Sequence, residues 1–319
     1  MRKSDIKNSP GAVFNKNKIP RIRTTPMPAD AYQEDIIMAD WVVAHMDIAG
    51  GAAAYEHVQD RVVTVGVEAM SFHKPVRVGD DVSIYTDISF IGRTSIGIKM
   101  EAWSRNRNNG EATKVTEGLF TFVALDKNGR PRIIPDRENY PELPKRDIKA
   151  IQEARADSQP MKDLPEHLSG EQPARRLKPL PKDRNMSGDI FGGWILAQMD
   201  KASIAQAEQL TGQTMVPVGM QAMTFHKPVH VGDDISFFAK IENVGNTSIS
   251  LKVESWALRQ KTRMYEKVTE GVFTSVAIDK DKNPVPLTLK NTNRQDEQSG
   301  IEKKGPFRRF FNRLCPFSL

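Results

Sequence analysis

The chain has 319 residues, 39% of them hydrophobic and 27% charged, with a formal net charge of +6. That length and mixture suit two ordinary globular domains and exclude a disordered or fibrous chain. No apolar run reaches the length of a membrane span, the polar start MRKSDIKNSPGAVFNKNKIP has no signal-peptide core, and the single cysteine, Cys315, excludes an intrachain disulfide framework or cysteine metal cluster.

A reducing cytoplasm is therefore the expected compartment. The mild positive charge suits a polyanionic small ligand such as a nucleotide as well as it suits nucleic acid. No helix-turn-helix or basic-aromatic strand motif accompanies it, so nucleic acid is not the expected partner.

In chain order, residues 1–20 read as disordered. From about Pro26 to Pro131 every position has a partner 153 residues later, without a gap. SFHKPVRVGDD at Ser71 meets TFHKPVHVGDD at Thr224, GRTSI at Gly92 meets GNTSI at Gly245, and KVTEG at Lys114 recurs at Lys267. A gapless repeat of this length means two copies of one whole fold. The organisation expected is a first domain over 21–135, a linker over 136–176, a second domain over 177–290 and a flexible basic and aromatic tail over 291–319. Within the linker, RDIKAIQEARAD has the composition of a short helix. The tail sequence GPFRRFFNRLCPFSL either packs on the protein or reaches a membrane surface or partner.

Each copy opens with one helix. The first starts near Asp40 and runs through WVVAHMDIAGGAAAYEHV; the second starts near Gly193 and runs through WILAQMDKASIAQAEQL. Both are apolar around much of their circumference, which predicts burial rather than surface packing. The segments that follow, such as DDVSIYTDISFIG, TSIGIKMEAWSRN and TKVTEGLFTFVAL, are rich in β-branched and aromatic residues and end in Gly, Asp or Asn turns. The fold class expected is α+β, with each copy an antiparallel sheet curled around its helix.

The succession SGDIFGGW…QMD, FHKPV.VGD, G.TSI and VTEG.F..VA.D resembles the hotdog-fold acyl-CoA thioesterases, close to the YciA type. The tandem arrangement is similar to that of the two-hotdog acyl-CoA hydrolases of fatty acid metabolism. The likeness covers about Pro26 to Ile134 and Pro179 to Leu287. It implies an acyl-CoA substrate, no separate cofactor because coenzyme A arrives on the substrate, and a homo-oligomer, here a trimer of tandem chains imitating a hexamer. It also implies active sites shared between paired domains, in which the loop before one helix faces an acidic residue inside the other.

Carried over position by position, the family loop matches Asp189, Gly192 and Gly193, and the helix carboxylate matches Asp47 and Asp200. The first copy has Ile36, Ala39 and Asp40 where the loop residues should be. The expected working site thus joins Asp189, Gly192 and Gly193 to Asp47, and a degenerate one joins Ile36 to Asp200. Glycines at a helix start expose N–H groups toward developing negative charge, and side chains there would block the substrate. Asp47 then serves as base or nucleophile, with small residues in DIAGGAAA leaving room beside it, and Asp189 orients water or Asp47. The plainer reading of each Asp is a structural hydrogen bond, and Asp35 is an alternative replacement for the lost loop acid.

Coenzyme A carries several phosphate charges, so basic side chains and turns should ring the entrance. The resemblance directs this role to Arg93, Thr94, Ser95, His73, Lys74, His226, Lys227, Thr247 and Ser248. No metal is expected, since no histidine or carboxylate cluster has ligand spacing. The rival to an enzyme is a non-catalytic acyl-CoA sensor.

Overall fold

The computed structural model describes residues 18–33, 35–135, 139, 159–185 and 188–290. The expected helix at 146–157, the tail over 291–319 and nearly all of residues 1–20 lie outside them.

The first copy contains β1 (Ile22–Thr24), β2 (Ala31–Gln33), β3 (Ile36–Ile37), α1 (Ala39–Val58), β4 (Val62–Val67), β5 (Met70–Ser71) and β6 (Val76–Arg77). Three long strands complete it: β7 (Asp81–Ile91), β8 (Ser95–Arg105) and β9 (Ala112–Ala124). The second contains β10 (Arg175–Leu177), α2 (Gly192–Thr211), β11 (Thr214–Met220), β12 (Met223–Thr224), β13 (Asp234–Val244), β14 (Ser248–Leu258) and β15 (Tyr265–Ile278). Each copy is a hotdog domain, one long helix lying against an antiparallel sheet.

The sheet orders are β1-β7-β8-β9-β4-β12 and β10-β13-β14-β15-β11-β5. Each sheet therefore ends on a strand from the other copy. β12 pairs with β4 through Met223–Val67 and Thr224–Gly66, while β5 pairs with β11 through Ser71–Gly219 and Met70–Met220. This reciprocal edge exchange satisfies backbone groups that an open edge would leave bare, and it locks the two copies in one register. β4 is bulged between Thr64 and Gly66, and β11 between Pro217 and Gly219. Pro217 is tolerated in a sheet strand at such a bulge.

The helices also pack on one another. Around the two of them, Phe90, Phe120, Phe122 and Phe237 are at most 2% exposed, each burial contributing roughly 2–3 kcal/mol before entropic losses. The small residues after Asp47 serve this packing. A Cβ on Gly50 would stand 2.8 Å from Met100 Cε and 2.9 Å from Phe122 Cζ, and Ala49 and Ala54 are fully buried. Within DIAGGAAA, expected to leave room beside Asp47, the helix thus uses Ala49, Gly50 and Ala54 to approach its sheet, whereas a Cβ on Gly51 would meet nothing closer than 3.8 Å.

The described end of the expected linker is likewise part of the fold. Met161 exchanges backbone hydrogen bonds with Tyr265 at 2.8 and 2.7 Å, and Leu168 packs with Phe238 and Trp256. Arg175–Leu177 forms β10 on β13, repeating the pairing of β1 on β7.

Candidate active site

Asp47 lies in the third turn of α1 and is only 2% exposed. Its two oxygens have separate partners from separate copies. Thr64 Oγ1 on β4 donates to Oδ1 at 2.8 Å, and the Gly193 N–H in the first turn of α2 donates to Oδ2 at 2.9 Å. Burial pushes the Asp47 pKa up from the usual carboxylate value, and the Gly193 and Thr64 bonds pull against that rise. Burial raises the basicity of this carboxylate, while the two donors and the helix N-terminus of the other domain orient it and favour its anion.

The glycines explain the close approach. A Cβ on Gly193 would stand 2.7 Å from Asp47 Cβ and 3.0 Å from the Ala44 Cα, and one on Gly192 would stand 3.0 Å from Thr64 Cβ. Here the structure corrects the expected roles. The Gly193 N–H, expected to face a substrate oxygen, is engaged by the Asp47 carboxylate. Gly192, first residue of the helix, has no intrahelical acceptor for its N–H.

Asp189 is also placed differently from the expectation. Its carboxylate is engaged by the Arg61 guanidinium and lies 3.5 Å from His230 Nδ1, rather than reaching Asp47. Asn185 braces the same loop, its Oδ1 accepting from the Asp189 N–H at 3.1 Å. Asp189 is therefore clamped at the domain junction, where Arg61 precedes β4 and Thr64.

The matching position in the other direction is built from different chemistry. Asp200 on α2 is 7% exposed, and its buried Oδ2 has no hydrogen-bond partner. Burial first, and the neighbouring Asp40 charge second, push its pKa up to about 8, with Lys201 opposing. Asp40 stands where the second copy has Gly193, and it pairs with Lys201 at 2.8 Å. Pro217 replaces the Thr64 hydroxyl, Ala39 replaces Gly192, and Ile36 replaces Asp189. Asp35, beside Ile36, is bound to Arg77 at 2.6 Å, which holds its carboxyl below the ordinary range.

The residues expected around coenzyme A divide between the two positions. Phe225 donates its N–H to Val65 at 3.1 Å, which brings His226 and Lys227 to the Asp47 side. The hairpin of Arg93, Thr94 and Ser95 caps the end of the sheet where β4 starts: Thr94 O accepts from Ala124 N at 2.9 Å, and Ala124 pairs with Val62. His73 and Lys74 instead line a pocket at the Asp200 side. Thr247 and Ser248 belong to that side too, through Ala277 N to Thr247 O at 2.9 Å and the Ser248–Val276 pairing. His73 is half-buried, and burial lowers its pKa.

Sequence reasoning missed Thr64, Arg61 and His230. The signal was present: at their partner positions the repeat carries Pro217, Thr214 and Arg77. Those exchanges remove a hydroxyl, a guanidinium and a ring from one of the two positions, beside the losses of Asp189, Gly192 and Gly193 there.

Fold and geometry together define a double-hotdog protein with a buried carboxylate between its two domains. A family model described as the thioesterase superfamily matches residues 41–111 and again 187–263. A protein of Haemophilus influenzae described as an uncharacterized acyl-CoA thioester hydrolase is 46% identical over 127 residues, 39% of this chain and 82% of that protein. The acyl-CoA thioester hydrolase YciA of Escherichia coli is 42% identical over 117 residues, 36% of this chain and 89% of its own. The chain belongs to the thioesterase superfamily. Among solved structures, an acyl-ACP thioesterase from Bacteroides thetaiotaomicron shares the fold across 80% of this chain and 96% of its own, with a TM-score of 0.52 at 12% identity. A hexameric thioesterase from Yersinia pestis is 41% identical, covering 38% of this chain and 98% of that one, with a TM-score of 0.36.

Proposed function

We propose that the protein hydrolyses acyl-CoA to a free carboxylate and coenzyme A at one site per chain, centred on Asp47. The observation that carries this reading is the pair of hydrogen bonds from Thr64 and Gly193 to the Asp47 carboxylate across the domain junction. Relatives named as acyl-CoA thioester hydrolases support catalysis over a binding-only role.

Two balanced routes fit the geometry. In one, Asp47 takes a proton from water as the water oxygen bonds to the thioester carbon; the carbon–sulfur bond then breaks and the coenzyme thiolate takes up a proton. In the other, an Asp47 oxygen bonds to that carbon and expels the thiolate, and water then cleaves the mixed anhydride. In both, the carbonyl oxygen gains negative charge at the start of α2, where the Gly192 N–H and the helix dipole favour it. Label found in the Asp47 carboxylate after a single turnover in heavy-oxygen water identifies the nucleophilic route, in which water attacks the anhydride at the aspartyl carbon.

The Asp189–Arg61 clamp fixes the loop that carries the glycines. His226, Lys227 and Arg93 supply the cationic approach for the coenzyme phosphates. Three tandem chains assemble to offer six hotdog domains, an arrangement suggested by the hexameric Yersinia thioesterase.

The test is thiol release from a panel of acyl-CoAs. Asp47→Ala should reduce turnover about 10³-fold or more, while Asp200→Ala leaves it within about twofold. Activity that depends on Asp200 and ignores Asp47 would sink the assignment.

A further inference from the structure

The Asp200 side has not collapsed. Between β3, the start of α1, the turn after β5 and strand β11 lies an open pocket with a cavity volume of about 130 Å³. Its walls are almost wholly apolar, with Ile36, Val42, Phe72, Val216, Val218 and Ile278 among them. At three positions where the Asp47 side carries Asp189, Gly192 and Thr64, this pocket carries Ile36, Ala39 and Pro217. Each exchange removes hydrolytic chemistry and adds hydrocarbon.

The polar residues in the lining are as selective as the walls. His73, Lys74 and Lys282 are its titratable members. Lys282 sits at φ +67, and the corresponding turn residue of the first copy is Gly129 at φ +76. A lysine thus occupies a left-handed backbone position that a glycine fills without strain, and its side chain lines this pocket. Facing charges are few. Asp35 lies 3.9 Å from Lys282 but is held by Arg77, and Asp40, in the neighbouring small cavity at Asp200, is held by Lys201. Asp200 itself keeps its proton up to about pH 8.

The hairpin at this end carries Asn246 where the Asp47 side has Arg93, so a cation suited to a polyphosphate is missing here. We propose that this second pocket is a non-hydrolytic binding site for an aliphatic carboxylate of the product type. The hydrocarbon chain lies among Ile36, Phe72 and Val216, and the carboxylate meets Lys282 and Lys74 at the mouth. Single negative charge and a linear apolar body match two rim ammonium groups and an apolar interior, whereas the several phosphates of coenzyme A do not.

Hydrolysis at Asp47 and binding at this pocket are separate properties, and each has its own readout. Dodecanoate is titrated calorimetrically into the full chain carrying Asp47→Asn, with the melting temperature of every variant recorded. Saturable binding is expected. Val216→Trp, which fills the pocket, should remove one binding event. Lys282→Gly, which restores the residue of the other copy and relieves the backbone, should weaken it about fivefold. In the Asp47-containing chain both substitutions should leave thiol release from dodecanoyl-CoA in place. Binding that is unchanged in the folded Val216→Trp chain overturns the site. So does tighter competition for it by dodecanoyl-CoA than by dodecanoate, which would make it a second thioester site. Failure of thiol release in the unmodified chain would remove the hydrolytic reading and leave the dodecanoate result standing.

Discussion

Two carboxylates occupy one position of one fold, and their environments differ in almost every partner. Asp47 receives an N–H and a hydroxyl, one on each oxygen. Asp200 has an unpartnered buried oxygen and a neighbouring Asp40. The difference teaches that the orientation and ionisation of a buried acid reside in its donors. Both residues are desolvated, but only Asp47 is stabilised as an oriented anion.

The largest way to break the comparison is Gly193→Ala. The added methyl would meet the Asp47 Cβ at 2.7 Å and the Ala44 Cα at 3.0 Å, so α1 and α2 must separate. An ångström of misplacement costs about 10²-fold in turnover, and loss of the N–H contact adds to it. Steady-state thiol release should fall about 10²- to 10³-fold. At the matched degenerate position, Asp40→Gly should leave turnover within about twofold.

The next effect is on stability. Folding raises the Asp200 pKa from its ordinary value to about 8. The folded chain therefore holds a proton that the unfolded chain releases, and stability falls as pH rises from about 4 to about 8. Asp200→Asn removes that dependence. Urea midpoints of the variant should exceed those of the parent chain increasingly over this interval and level off above it, with a gain on the order of 3 kcal/mol near neutrality. An advantage that is greatest at pH 4 would contradict the assigned burial.

Much of the architecture was legible in the sequence because it is repeated. The fixed register exposed two copies, and the period of the long apolar segments located both helices and the strands β7 to β9 and β13 to β15. Asp47 was legible through its counterpart in the second copy. The edge exchange of β5 and β12 was not, because two-residue strands carry no periodic signal and their pairing is set by tertiary position. The partners of Asp189 escaped for a similar reason: Arg61 lies 128 residues away in sequence. The glycine roles were misjudged because a helix N-terminus reads as an anion site whether the anion is a substrate or a neighbouring side chain.

A smaller effect is expected of Thr64→Val. The change keeps the volume and removes the hydroxyl that donates to Asp47 Oδ1. Turnover should fall about tenfold. The Thr64 bond lowers the Asp47 pKa, so its loss should also shift the acid limb of kcat/KM to higher pH. A decline in rate with an unmoved acid limb would assign Thr64 to packing alone. The reverse exchange, Pro217→Thr, should create no second activity, because Asp40 still replaces the glycine donor.

The finest comparison concerns Arg61. Its guanidinium engages Asp189, which in turn precedes the glycines by a few residues, and Thr214 occupies its place in the other copy. Arg61 is a third exposed and touches no oxygen of Asp47. Its loss should loosen the loop without altering the base. Arg61→Gln is therefore expected to raise KM about three- to fivefold with kcat nearly constant, because a partly exposed ion pair contributes only about 1 kcal/mol. Added salt should reproduce part of the same KM change in the parent chain and little in the variant. A fall in kcat with KM unchanged would instead place Arg61 at the reacting carbonyl, and the two domains would then share more of the chemistry than the Asp47 contacts alone require.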